Sequence, residues 1–222
     1  GADAALLAAA TKVEPAWSRF GRPILAGVGG IVAFLALFVF LGLVDSWTAS
    51  EAPLQKTDYR YLPTIDDLGE WLQDFEPDPA YVSASKTIYT DGSYSLDYEY
   101  DDPEDLFFQA TTNVERNPGD ALTVYGGARV AYPATYAALD GDIELVDADE
   151  LFQWGDRSMH VFLTNEGETF GQLFMTQKGR IVFSMTISGV YFDQPGDFEE
   201  FVLPYLEALG ALSSQPHQRP AH

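Results

Sequence analysis

Ile181–Ser188, IVFSMTIS, alternates Ile181, Phe183, Met185 and Ile187 with Val182, Ser184, Thr186 and Ser188. Successive strand side chains point to opposite faces, so this period predicts a strand with at least one face in a core. Turn signals surround it: Lys178-Gly179 lies just upstream, and Asn165-Glu166-Gly167 precedes an apolar run over residues 170–176. Further back, residues 151–154 and 159–163 flank Gly155-Asp156 and predict a hairpin. Downstream, Phe198, Phe201, Val202, Tyr205 and Leu209 recur at helical spacing after Asp197, and Gly210 supplies a stop. Pro204 sits inside that helix and is expected to kink it or delay its start.

This order over residues 143–212 is a meander with a tight Lys178-Gly179-Arg180 turn, an apolar strand and a closing amphipathic helix. It resembles the C-terminal half of the PsbP-like extrinsic proteins of photosystem complexes. The resemblance implies an α-β-α sandwich around an antiparallel sheet, and a non-catalytic lumenal subunit. It rests on element order, so no binding residue is carried over from it.

Working toward the N-terminus, Tyr94, Leu96, Tyr98 and Tyr100 alternate with Ser95, Asp97, Glu99 and Asp101, the pattern of a half-buried strand. Asp91-Gly92 turns it back on residues 81–89, and residues 106–114 predict the next strand. Residues 118–139 have a mixed signature, since Gly126, Gly127 and Pro133 oppose an otherwise helical composition. Thr64-Ile65-Asp66-Asp67 resembles a capping box with Asp in place of Glu, and it opens a helix expected over residues 65–75. Residues 45–63, with Pro53 and Pro63, read as a linker.

Residues 24–44, ILAGVGGIVAFLALFVFLGLV, contain no charged or amide side chain and predict a transmembrane helix over residues 23–44. As a helix this stretch reaches roughly 32 Å, the thickness of a bilayer core. Lys12, Arg19 and Arg22 precede it, whereas Asp45 and Glu51 follow before the first base, Lys56. The positive-inside bias then leaves residues 1–22 as a short cytoplasmic segment and puts the remainder in the periplasm or another extracytoplasmic space, as a single-pass protein of the inner membrane. Within the span, Ala26, Gly27, Gly30 and Ala33 are helix-packing candidates, because small residues let helix backbones approach closely.

The expected fold class is α+β: one N-terminal transmembrane helix, then one extracytoplasmic domain, residues 64–212, of antiparallel sheet packed with helices, then a flexible tail over residues 213–222. Cysteine is absent, which excludes disulfides and Cys-ligated metal centres. The formal net charge is −22, and nearly all of the excess follows residue 44. Such a surface repels nucleic acid and anionic headgroups and favours a cationic partner face.

Motifs for catalysis are not found. Of the three histidines, His217 and His222 fall in the tail, and His160 lies in an expected strand as a satisfied or exposed structural residue. Asp97, Glu99 and Asp101 on one strand, and Asp140, Asp142 and Glu144 at alternate positions, are candidate cation ligands. The second set fails the EF-hand pattern, which needs Gly where Leu145 stands. The sequence thus points to a non-enzymatic accessory subunit without a cofactor. Its partners are expected to be other membrane protein subunits, met through the span and the outer domain, and the lipid bilayer, in a photosynthetic or respiratory complex. The alternative is an anchored binding or sensing module with a ligand held between sheet and helices near Trp154 and Tyr125.

Overall fold

The computed structural model describes residues 49–72, 75–103, 106–139 and 142–214. Eight strands form one antiparallel sheet: β1 (Ser50–Ala52), β2 (Val82–Ile88), β3 (Tyr94–Asp101), β4 (Phe107–Val114), β5 (Ile143–Asp147), β6 (Arg157–Asn165), β7 (Glu168–Lys178) and β8 (Ile181–Ser188). Among the described residues three α-helices accompany them: α1 (Ile65–Gly69), α2 (Pro118–Leu139) and α3 (Pro195–Ser213).

The strand order, β1-β2-β3-β4-β8-β7-β6-β5, reads as two meanders joined at their last strands. At that joint β4 and β8 pair along their full lengths, from Phe107↔Ser188 to Val114↔Ile181. Each meander is followed by a long helix, and the two helices take opposite faces. On one face α3 buries Phe198, Val202, Leu206 and Leu209 against Leu96, Phe108, Phe174, Phe183 and Met185. On the other, α2 lays Ala121, Tyr125, Tyr132 and Tyr136 over Val161, Leu163, Leu173, Met175 and Val182. Each large apolar side chain so buried contributes about 1.5–3 kcal/mol relative to its exposed state.

Turn chemistry sets the register. Glu166 and Gly167 have φ of 50° and 81°, the paired left-handed conformation that a two-residue hairpin turn requires. At Gly171 a Cβ would sit 2.4 Å from the backbone oxygen of Ile187, so β7 crosses β8 there only without a side chain.

The membrane-anchored architecture is corrected. The structure is one eight-stranded antiparallel sheet with a few helices, and no helix among the described residues is long and apolar enough to cross a membrane. Among the described residues nothing answers to the expected transmembrane, single-pass description. Residues 24–44 and the packing candidates Ala26, Gly27, Gly30 and Ala33 lie outside the described residues, as do residues 1–22.

Other boundaries also move. From residue 49 onward the expected linker belongs to the domain: it forms β1 and a 3₁₀ turn, Tyr59–Tyr61, and Leu62 is completely buried. The buried Thr112 hydroxyl donates to the Tyr61 carbonyl at 2.9 Å, and Lys86 pairs with Asp58 at 3.1 Å, which pins this segment to the sheet. The helix expected over residues 65–75 stops at Gly69. Residues 118–139 form a continuous helix despite Pro133, because burial of its tyrosine face outweighs the local breakers. Residues 151–154 are not a strand; β6 pairs instead with β5 and β7.

Candidate functional site

A groove of about 790 Å³ opens where five segments converge. The 3₁₀ turn supplies Tyr59, the start of α1 supplies Asp66 and Asp67, the segment before β2 supplies Pro77 and Pro79, and β3 and α3 supply Tyr98 and Tyr205.

The α1 wall is fixed by its own sequence. Thr64 caps the helix in a complete capping box: Asp67 Oδ2 accepts from the Thr64 backbone N–H and hydroxyl, both at 2.7 Å, and the Asp67 N–H donates back to Thr64 Oγ1. The Tyr205 hydroxyl also hydrogen-bonds Asp67, tying α3 to α1. Burial, reinforced by the Asp67 charge, pushes the Tyr205 phenol well above its ordinary value. Tyr98 Oη accepts the Ile65 backbone N–H at 3.3 Å, and burial raises its pKa to about 12. Both phenols therefore stay protonated and uncharged at neutral pH. Asp66 is exposed and completes the rim.

Aromatic faces carry negative quadrupole charge, and a cation placed over one gains about 0.5–2 kcal/mol. Tyr59 and Tyr205 beside two carboxylates, with the buried Tyr98 beneath, thus form a surface suited to a guanidinium or ammonium group. The prolines keep one wall stiff, since their φ is locked.

Residues singled out in the sequence fall elsewhere. His160 is neither exposed nor satisfied: it is 0% exposed, and neither ring nitrogen has a hydrogen-bond partner among the described residues. Its ring packs on Phe198, Phe174 and Phe162, with centroids 4.4, 5.5 and 6.4 Å away, and burial lowers its pKa to about 4. Trp154 and Tyr125 occupy opposite faces of the sheet, so no single cavity joins them.

Asp97, Glu99 and Asp101 share one face of β3. Asp97 accepts from the Ser95 hydroxyl at 2.6 Å and the Thr111 hydroxyl at 3.0 Å, and Glu99 accepts from Gln109 at 3.2 Å. All three carboxyls are shifted upward, first by burial. Glu144 lies on β5, at the far edge of the sheet, Asp142 lies just before it, and Asp140 is outside the described residues. Among the described residues no group of three or more His, Asp or Glu side chains gathers as a metal site.

The groove residues were read differently in the sequence. Tyr59 fell in the linker, Tyr205 on a helix's core face, and Asp66 and Asp67 within a cap. The abundance of tyrosine and of acid was visible; the convergence of five separate segments leaves no local pattern. No protein-family model, curated protein or solved structure matches the chain.

Proposed function

We propose that this chain is a non-catalytic accessory subunit whose acidic, tyrosine-lined groove holds a basic segment of a larger protein assembly. The observation that carries this reading is the convergence of Tyr59, Tyr98 and Tyr205 with Asp66 and Asp67. The net charge of −22 supports it, since an acidic domain steers toward cationic partners. The PsbP-like element order of residues 143–212 supports a photosynthetic or respiratory host. A small ligand between Trp154 and Tyr125 is not favoured, because the sheet separates them.

Native purification of the full chain beside Tyr205→Ala and Asp66→Asn variants tests the reading. The wild type is expected to comigrate with a multi-subunit assembly, and the variants to run free of it while keeping the wild-type circular dichroism. Wild-type and variant chains that comigrate equally, or a wild type that runs alone, contradict it.

A further inference from the structure

His160 stands outside the groove chemistry, and its surroundings show a second device. Its ring nitrogens are buried without partners, and its closest ring contact, at 4.4 Å, is Phe198 in the first turn of α3. An imidazolium there finds no hydrogen-bond acceptor among the described residues to replace its lost hydration. The neutral ring suits this aromatic pocket; the charged ring is stable only once water reaches it.

The part of α3 that would have to lift is marked off by Pro204. Proline has no N–H to donate to the carbonyl of Glu200, so the helical ladder lacks a bond there and residues 195–203 are set off from the rest of α3. That portion carries Phe198 and Phe201, and Phe201 stacks on Phe192 at 5.2 Å. Tyr205 follows the interruption and stays bound to Asp67.

We infer that residues 195–203 form a flap that opens in acid when His160 takes up a proton, uncovering the aromatic cluster of Phe174, Phe192 and Phe198. This goes beyond the groove and does not depend on it.

The charged groups on the packed elements favour the open form. Asp149, before β6, accepts the His160 backbone N–H at 2.7 Å, while Asp197 lies in the first turn of α3 and Glu199 and Glu200 in the turn after it. Phe162 and Phe174 bring no charge from β6 and β7. Once hydrated, the imidazolium is attracted to these carboxylates. The lowered pKa, to about 4, agrees in direction with the geometry.

Hydrogen exchange of the full chain, corrected for intrinsic rates, tests the flap at pH 7 and pH 4.5. In the wild type, protection of residues 195–203 is expected to fall roughly fiftyfold or more, the factor that follows from a free imidazole near 6.5 and a closed one near 4. Residues 206–213 and β8 are expected to hold. In His160→Leu the flap should stay closed at both pH values. Loss that is equal across the flap, residues 206–213 and β8, or identical in the variant, overturns the inference. Should the variant fail to fold, imidazole NMR of the wild type decides: a His160 titrating near 6.5 with the flap still protected also overturns it, whereas titration coupled to loss of protection supports it.

Discussion

On the face that carries α2, β6 and β7 present Val161, Leu163, Leu173 and Met175, whereas β3 and β4 present Ser95, Asp97, Glu99, Gln109 and Thr111. The two meanders are built alike and joined symmetrically, yet among the described residues one is covered by a helix there and the other is not. The helix after β8 crosses to the opposite face, so β2–β4 lack the cover that α2 gives β5, β7 and β8. Where a helix lands, the sequence is apolar; where none lands, side-chain pairs such as Ser95–Asp97 and Gln109–Glu99 satisfy the polar face. The contrast extends to protons. The half-buried carboxyls of β3 are easier to protonate than usual, while His160 in the second meander is harder.

The comparison breaks most severely at the packed half. Phe174→Ala removes a fully buried ring that touches Phe152, Phe183 and Phe198, and it should cost about 3–5 kcal/mol in urea denaturation. A smaller loss, near 1 kcal/mol, would mean that the core around β7 collapses onto the gap.

Acidity should separate the halves next. For His160 the folded value lies below the unfolded one, so its contribution is complete above about pH 6.5 and falls away toward pH 4, by roughly 3 kcal/mol in all. Asp97, Glu99 and Asp101 have the opposite sign: their raised values favour folding at low pH, and this is lost as pH rises through them. Denaturation at pH 7 and 4.5, in wild type and His160→Leu, checks this. The variant should lose markedly less stability on acidification than the wild type does.

Thr64→Ala removes the cap of α1 and should cost about 1 kcal/mol, read from the urea midpoint. Smallest of all, Asp97→Asn should be slightly stabilising at pH 7, by under about 1 kcal/mol, because it removes a half-buried charge while keeping an acceptor for Thr111. A clear loss would show that the carboxylate's two hydrogen bonds outweigh its burial.

Much of the sheet was legible because its signals are local. The alternation of Ile181–Ser188, the Asp91-Gly92 turn and the Asn165-Glu166-Gly167 turn each specify their own conformation. The palindromic strand order was not, since the β4–β8 pairing joins residues far apart in the chain and no turn dictates it. Residues 118–139 were ambiguous because glycine and proline spoke against a helix that tertiary burial imposes. The strand position of His160 was legible, but the lack of partners for both ring nitrogens was not, since that depends on where α3 comes to rest. Tyr59 lay hidden because a proline-bounded, aperiodic stretch resembles a linker whether or not Leu62 is buried.

The most direct test of the groove follows tyrosine ring signals by NMR while an arginine-rich peptide is added to the full chain at low salt. Shifts in Tyr59, Tyr98 and Tyr205, weakened by Asp66→Asn, with Tyr125, Tyr132 and Tyr136 under α2 left in place, are the predicted result. Shifts spread evenly over both sets of tyrosines, or none in the groove, would contradict it.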